Sequence, residues 1–527
     1  MSCFWHHLTS QRGLGTKMSE AVVFDSVTPT VELLAPWVVE DIRPLIAFLV
    51  PWLGMIGIMW AGEKRPNLRE TFTLVAAVIQ STVVLSMVPV ILNGAIIECH
   101  VWQIFTHVPL LLRVDGPGIL FACVASLLWI ATTVYAIGYM RGLHEHAQTR
   151  FYSFFALSLS ATMGVAFSAN LLTIYIFYEM LSISTFPLVT HMQDKNARTG
   201  GRTYLGYLLF TSLCLLLPAL SWCYVWLDGG KVTMDFLTDT GKIGFFTEPT
   251  QIILLVLFTF GFAKAGLMPF HSWLPGAMVA PTPVSALLHA VAVVKVGVFC
   301  VYRVYTDVFG PEVLAKMDGE DWMMLVACAT ILISSLIALS QDNLKRRLAF
   351  STIGQLGYIV LGATLATEQG SGGAVLHIAM HACGKITLFF CAGAIFVATG
   401  KKYVSELRGL GRKMPITMGA FLIGALSVIG LPPLGGFISK WYLAMGALDR
   451  DAAWVVVVLL VSSLLNVFYL LPVAVTAFFR KDETDNEPIG IKEAPWACVV
   501  PLALTAVGCF VLFFLSDPLL RLAGIKD

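Results

Sequence analysis

The chain has 527 residues, of which 57% are hydrophobic and 13% are charged, with a net charge of +1. Soluble domains carry about 25% charged residues, so this composition excludes a largely water-facing protein and favours a membrane protein with no nucleic-acid partner. The 11 cysteines form no CxxC pair and no glycine-rich phosphate loop occurs, so we predict no metal, no cofactor and no catalytic site of its own.

Apolar stretches long enough to cross a bilayer recur along the chain. Crossing the hydrocarbon core takes about 20 apolar residues in a helix. The sequence therefore predicts an all-α membrane protein with about 14 transmembrane helices, numbered here as spans. The predicted spans are 44–61, 70–92, 116–140, 150–169, 171–191, 203–226, 250–268, 281–306, 321–340, 348–366, 372–400, 415–447, 453–479 and 495–516.

The loops between the predicted spans differ in charge. Alternate loops, beginning with 62–69, together hold 19 Lys and Arg, whereas the opposite set, including the C-terminal tail, holds 7. Lys and Arg concentrate in cytoplasmic loops. The asymmetry thus supports the span count and predicts that both termini lie outside the cytoplasm. We expect a multi-pass protein of a bacterial or archaeal inner membrane.

Charged and ionisable residues occur inside several predicted spans. A charge at mid-bilayer costs about 2.5–3.5 kcal/mol on insertion scales, and such residues usually mark an ion path. One alternative is that these residues form structural ion pairs without transport. Another is that the lysines extend toward the lipid headgroups, and this applies most easily to Lys440. The candidate proton-transfer residues are Glu179, Lys264, His289, Lys295, His377, His381, Lys385 and Lys440.

Span 11 carries the densest group. His377, His381 and Lys385 follow at i, i+4 and i+8, so they share one helix stripe about 6 Å apart along the axis. A proton relay fits this row best. The HxxxH spacing also suits a metal, but a charged Lys385 would repel it and the span offers no acidic ligand; packed structural histidines are the third possibility.

Span 8 has a looser arrangement. His289 and Lys295 are six residues apart, so water or a neighbouring helix would have to connect them. A carboxylate that approaches or leaves a buried lysine changes its proton affinity. Glu179 is the one carboxylate deep in a predicted span and is therefore the candidate partner.

Helix breakers accompany two of the lysines. Span 7 has Pro269 five residues after Lys264, and span 12 has Pro432, Pro433, Gly435 and Gly436 before Lys440. Proline removes a helical hydrogen bond, and matching broken helices indicate an inverted-repeat transporter. We predict two inverted five-helix repeats with breaks in helices 7 and 12. The predicted units are 1–43 (polar segment), 44–140 (helices 1–3), 150–306 (first repeat), 321–479 (second repeat) and 495–527 (last helix and tail).

Four motifs in order carry a resemblance to a known family. They are YEMLS at 178–182, the segment KAGLMPFHSWLPGAMVAPTPVSALLHAVAVVKVGVFCVYR at 264–303, HIAMHACGKITLFF at 377–390 and GLPPLGGFISKWY at 430–442. Over about residues 110–480 the chain resembles the antiporter-type subunits of respiratory complex I, Mrp-type sodium/proton antiporters and membrane-bound hydrogenases. The resemblance implies that Glu179 pairs with Lys264, and that a lysine at position 440 is closest to Mrp D-type and terminal complex I subunits.

These observations predict proton translocation through two half-channels. One would lie near Glu179, Lys264 and Lys295 and the other near Lys385 and Lys440, joined by a hydrated polar axis. Other membrane subunits would be the partners, and the ions would be protons and possibly Na⁺. The alternatives are an Mrp-type sodium/proton antiporter subunit, an inorganic-carbon uptake subunit and a scaffold that has lost conduction.

Overall fold

A computed structural model describes residues 37–105, 107–317, 321–480 and 490–525. The structure is built mainly of helices. In chain order they are α1 Arg43–Ala61, α2 Pro66–Leu92, α3 Gly116–Gly142, α4 Gln148–Ala166, α5 Leu171–Val189, α6 Lys195–Thr211, α7 Leu217–Trp226, α8 Glu248–Gly261, α9 Trp273–Gly276, α10 Thr282–Ala290, α11 Val293–Arg303, α12 Pro311–Leu314, α13 Asp321–Ser340, α14 Leu344–Thr364, α15 Glu368–Thr399, α16 Leu410–Lys413, α17 Pro415–Ile429, α18 Gly435–Asp449, α19 Ala453–Phe479, α20 Trp496–Phe514 and α21 Ser516–Leu522.

The predicted class, a helical multi-pass membrane protein, is confirmed. Within the described ranges, nine helical segments are long and apolar enough to cross a membrane. The other five predicted spans coincide with helices that are shorter, interrupted or more polar, such as α8 and the pair α10 and α11. The exact count of 14 therefore stays a prediction, as do the inverted repeats and the proposed unit boundaries.

A small sheet, which was not predicted, joins the segment before α1 to the segment between α2 and α3. Strand β1 (Val38–Glu40) pairs in parallel with β2 (Ile96–Phe105), and β2 pairs antiparallel with β3 (Val108–Val114). Residues 1–36 of the predicted polar segment lie outside the described residues, and part of its remainder forms β1. The sheet thus ties the start of the described chain to the loop before α3.

Helix α15 is the centre of the fold. It has 32 residues, and most of them are buried. It packs against α3, α10, α14, α17, α18 and α20. A helix enclosed on all sides can keep polar side chains away from lipid, and α15 is the helix that carries the predicted relay of span 11.

The Lys- and Arg-rich loops meet on one face of the bundle. Arg150 donates a 2.8 Å hydrogen bond to the carbonyl of His191, and Lys345 donates a 2.6 Å hydrogen bond to the carbonyl of Ala280. A cavity of about 460 Å³ opens there and is lined by residues of five of the alternate loops predicted to be cytoplasmic, among them Glu145. The loops predicted to share the cytoplasmic side are therefore neighbours in space.

Buried ion pairs hold the opposite face together. Arg113 of β3 forms a 2.7 Å ion pair with Asp235, and Arg303 at the end of α11 forms one of 2.6 Å with Asp115. In the loop that contains Asp235, burial by itself raises the pKa of Asp239. Hydrogen bonds from the Lys242 ammonium and from neighbouring hydroxyl and amide groups outweigh that effect, so its pKa is lowered from the ordinary value.

Candidate ion-conducting site

The first buried lysine lies in a break between two helices. Helix α8 ends at Gly261, and Lys264 lies in the single 3₁₀ turn that follows, Ala263–Ala265. Gly266 then has a φ of +69°, a left-handed conformation that suits glycine. The indole of Trp273 donates a 3.0 Å hydrogen bond to the carbonyl of Ala263, which satisfies a backbone group that the break would otherwise leave open.

The ammonium group of Lys264 reaches α5 across the break. Its Nζ donates to the carbonyl of Tyr178 at 2.6 Å and to the hydroxyl of Ser182 at 2.7 Å, and it lies 3.1 Å from the centre of the Tyr178 ring. Lys264 is fully buried. A carbonyl, a hydroxyl and an aromatic face together stabilise a positive charge away from water.

Glu179, the expected partner of Lys264, lies beside this pocket rather than in it. Within the described residues no Lys264–Glu179 ion pair of 4.0 Å or less is present, although the two groups interact electrostatically over a longer distance. Oε1 of Glu179 is buried and has no hydrogen-bond partner among the described residues. A carboxylate with an open acceptor is placed to take a proton or a water molecule, and its pairing with Lys264 stays a prediction.

Span 8 is interrupted, which was not predicted. Helix α10 ends at Ala290 and α11 begins at Val293, and between them Val291 leaves the helical region with a φ of −123° and a ψ of −61°. Lys295 is therefore in the first turn of a new helix. His289 belongs to the last turn of α10, but its side chain is outside the part of the chain that the structure describes.

Close packing joins this helix to the break in span 7. A Cβ placed on Gly297 would lie 2.1 Å from the backbone nitrogen of Ala265 and 2.2 Å from the carbonyl carbon of Lys264. Only a residue without a side chain fits there. Gly297 thus fixes the distance between the helix that carries Lys295 and the turn that carries Lys264.

A direct hydrogen bond connects spans 8 and 11. Nζ of Lys295 lies 2.7 Å from Nδ1 of His381, and both side chains are buried. The ring of His381 stacks on that of His377, with centroids 5.6 Å apart and planes 9° apart. The row predicted on α15 is therefore continued by a lysine from a different helix.

His377 has a partner for each ring nitrogen. Nδ1 lies 2.8 Å from the hydroxyl of Ser439, and Nε2 lies 3.1 Å from Oε1 of Gln355. Because Oε1 only accepts, Nε2 carries the proton and Nδ1 of the neutral ring accepts from Ser439. The Ser439 hydroxyl also has the carbonyl of Gly436 at 3.3 Å, so it can turn there when Nδ1 is protonated. The surroundings can serve both charge states of His377.

Lys440 lies against the broken end of α17. Helix α17 ends at Ile429, and the prolines and glycines of span 12 lead into α18, so the predicted break is confirmed. Nζ of Lys440 donates to the carbonyls of Val428 and Ile429 at 3.0 and 2.9 Å and to the hydroxyl of Ser463 at 3.1 Å. A cation at the C-terminal end of a helix is favoured by the helix dipole. The side chain is 9% exposed and faces protein rather than headgroups.

Lys385 occupies a separate branch of the site. Its Nζ donates to the hydroxyl of Ser351, whose oxygen lies 2.8 Å from the hydroxyl oxygen of Tyr469. Tyr469 hydrogen-bonds Asn466 as well. Although Lys385 shares a helix stripe with His381, its contacts lead to α14 and α19.

The structure therefore brings most of the predicted residues into one buried region and adds neutral partners that were not predicted. Lysines in apolar spans were detectable because their charge is costly there. Serines, tyrosines and amides are common in membrane helices for packing reasons, so type alone did not single out these partners. They are Tyr178, Ser182, Ser351, Gln355, Ser439, Ser463, Asn466 and Tyr469.

Comparison with known proteins finds relatives of one kind. The family model described as NADH:quinone oxidoreductase/Mrp antiporter, TM matches residues 168–466. The chain is 34% identical to NADH-quinone oxidoreductase subunit N of Desulforudis audaxviator, over 74% of this chain and 79% of that protein. It is 32% identical to Na⁺/H⁺ antiporter subunit A1 of Staphylococcus aureus over 76% of this chain, and there it spans half of the relative's length.

Solved structures of two complexes have chains with the same fold. A chain of the Mrp complex from Dietzia sp. DQ12-45-1b matches with a TM-score of 0.81 at 20% identity, covering 92% of this chain and 96% of that one. A chain of the membrane-bound sulfane sulfur reductase, an archaeal respiratory membrane complex, matches with a TM-score of 0.76 at 23% identity, covering 92% and 95%. The D-type assignment within this group stays a prediction.

Proposed function

Because the chain belongs to the NADH:quinone oxidoreductase/Mrp antiporter transmembrane family, we propose that it translocates protons as one membrane subunit of a larger complex. The buried line would run from Lys264 and Glu179 through Lys295, His381 and His377 toward Lys440, with Lys385 on a branch. The observation that carries the proposal is the 2.7 Å hydrogen bond between Lys295 and His381. It joins two titratable nitrogens from the two predicted halves inside the protein.

The chemistry at that hydrogen bond is a proton exchange between two nitrogens. The ammonium of Lys295 donates to Nδ1 of a neutral His381, and transfer leaves a neutral amine and an imidazolium. The rings of His377 and His381 are stacked face to face, so their nitrogens do not point at each other and form no direct hydrogen bond. Proton transfer from His381 to His377 would therefore need a bridging water molecule or a ring rotation. Ser439 then accommodates the proton on His377 by turning its own hydroxyl toward Gly436.

The experiment compares Lys295→Met and His381→Leu with Lys316→Met in the assembled complex in sealed vesicles. Lys316 is an exposed loop lysine and serves as the matched control. Removing a group that carries the proton in the slow step reduces the rate by about 100-fold or more. We expect that loss of proton flux for the first two variants and an unchanged rate for the control. Normal flux in a correctly assembled Lys295→Met complex would contradict the proposal.

A second candidate function is cation/proton exchange, because several relatives are named as Na⁺/H⁺ or K⁺/H⁺ antiporter subunits. The same buried line of residues would then be the pathway for the proton in the exchange. Proton efflux from vesicles that depends on an opposing Na⁺ or K⁺ gradient, without any redox substrate, favours exchange. Flux that requires a redox substrate favours a respiratory complex, and the absence of both would leave the scaffold alternative.

A further inference from the structure

A second group of ionisable side chains lies at the face where the Lys- and Arg-rich loops meet. Glu145 and His146 belong to the loop between α3 and α4, and His191 follows the end of α5. One carboxylate oxygen and one nitrogen from each ring all lie within 4.8 Å of one another. This group is separate from the buried line and was not predicted, because its members are spread over two loops.

His191 is the unusual member of this group. Its side chain is fully buried, and neither ring nitrogen has a hydrogen-bond partner within 3.5 Å among the described residues, although the backbone of His146 interacts with the ring over a longer distance. The ring stacks on His146 with centroids 5.0 Å apart and meets the edge of Phe151 at 5.8 Å. A phenylalanine would fill the same space without leaving two buried polar atoms unpaired, which is destabilising. The ring nitrogens therefore point to a bound partner.

We propose that Glu145, His146 and His191 bind one transition-metal cation of the Zn²⁺ type. Zn²⁺ takes histidine nitrogen and carboxylate oxygen at about 2.0–2.2 Å in a tetrahedron, which places ligand atoms about 3.4 Å apart. The two loops would close by about 1 Å or more to reach that spacing. His146 is half exposed and can make this movement. Three protein ligands leave the fourth position for water.

The surroundings are compatible with a single cation. Arg150 lies close, and its guanidinium disfavours a metal, but it is held by its hydrogen bond to the carbonyl of His191. Glu145 and Glu63 supply negative charge on the same face. Glu145 also lines the 460 Å³ cavity, which gives an ion from solution a way in.

The test uses Co²⁺ as a spectroscopic probe of the full chain, purified in its native complex without chelator. Tetrahedral Co²⁺ with nitrogen and oxygen ligands has visible absorption bands, and Zn²⁺ added afterwards should displace them. Loss of a ligand should weaken binding by on the order of 100-fold or more, since even outer-shell changes cost 10–100-fold. We expect that loss for His191→Gln and His146→Gln, and unchanged binding for the neighbouring His144→Gln.

Thermal unfolding checks that each variant is folded, independently of metal binding. His146 is half exposed, so His146→Gln should keep the thermal unfolding temperature of the metal-free protein. Added Zn²⁺ should raise that temperature in the unmodified protein and in His144→Gln only. The proposal is overturned if the metal-free protein develops no visible absorption bands when Co²⁺ is added and no higher unfolding temperature when Zn²⁺ is added. Equal binding by the unmodified chain and His146→Gln also overturns it. Neither readout depends on ion flux.

Discussion

Replacing Gly297 by alanine tests how closely the two lysine-bearing elements must approach. The added Cβ would lie 2.1 Å from the backbone nitrogen of Ala265, whereas ordinary contacts begin near 3.4 Å. The helix or the turn must therefore move by roughly 1.3 Å. The two nearest atoms belong to the backbone, and the third, Cβ of Lys264 at 2.7 Å, is fixed to it, so side-chain rotation gives no relief. Overpacking of this kind costs about 1–3 kcal/mol, and we expect the upper end of that range.

The assay has two readouts, the thermal unfolding of the purified complex and the proton flux in vesicles. Because Lys264 and Lys295 lie on the two elements pushed apart, flux should fall at least tenfold even where the complex still assembles. Gly206→Ala is the matched control, since its added Cβ meets nothing within 4 Å. It should keep both flux and stability. If Gly297→Ala has the stability and flux of the unmodified protein, the packing argument is wrong.

Three further substitutions have defined outcomes. Gly436→Ala places a Cβ 1.9 Å from a backbone carbonyl oxygen, so it should lower the unfolding temperature and the flux, whereas Gly419→Ala, with nothing within 4 Å, should not. Tyr469→Phe removes the hydrogen bonds to Ser351 and Asn466 and should lower the free energy of unfolding by about 1–3 kcal/mol; unchanged stability would contradict it. The lowered pKa of Asp239 means that its carboxylate contributes stability above the ordinary carboxyl range, and that this contribution disappears as the pH falls through the lowered pKa. Asp239→Asn should therefore be less stable at pH 7 but lose less stability on acidification, as measured by thermal unfolding across pH.

The features that could be predicted from the sequence are those with a large free-energy cost in a membrane helix. A lysine in an apolar stretch has a large insertion cost, and consecutive prolines cannot continue a helix. These rules placed Lys264 and Lys440 beside breaks, and the structure has both breaks where they were predicted. The span limits also agree with helix ends to within a few residues in most places, because apolar length is set by bilayer thickness.

The features that depend on neighbours in space could not be read from the chain. The interruption at Val291 and Ala292 involves no proline or glycine, so no local rule predicts it. The Lys295–His381 hydrogen bond joins residues 86 positions apart, and their pairing follows only from the way α11 packs beside α15. Strand β1 has only three residues, too few for a periodic pattern, so its parallel pairing with β2 could not be predicted.

The number of hydrogen bonds that Lys440 makes matches the number of N–H bonds of its charged amino group. An ammonium group has three N–H bonds, and the Lys440 nitrogen has three acceptors: two carbonyls at the end of α17 and the hydroxyl of Ser463. A neutral amine has two N–H bonds and a lone pair, so both carbonyls keep a donor after the proton leaves only if the Ser463 hydroxyl turns and donates to the nitrogen. A charge-assisted hydrogen bond is worth about 1.5–3 kcal/mol and an ordinary one about 0.5–1.5 kcal/mol, so the two carbonyls at the end of α17 would bind a neutral amine less strongly than an ammonium group. The hydroxyl of Ser463 and the last two carbonyls of α17 are therefore the groups whose hydrogen bonds would differ between charged and neutral Lys440.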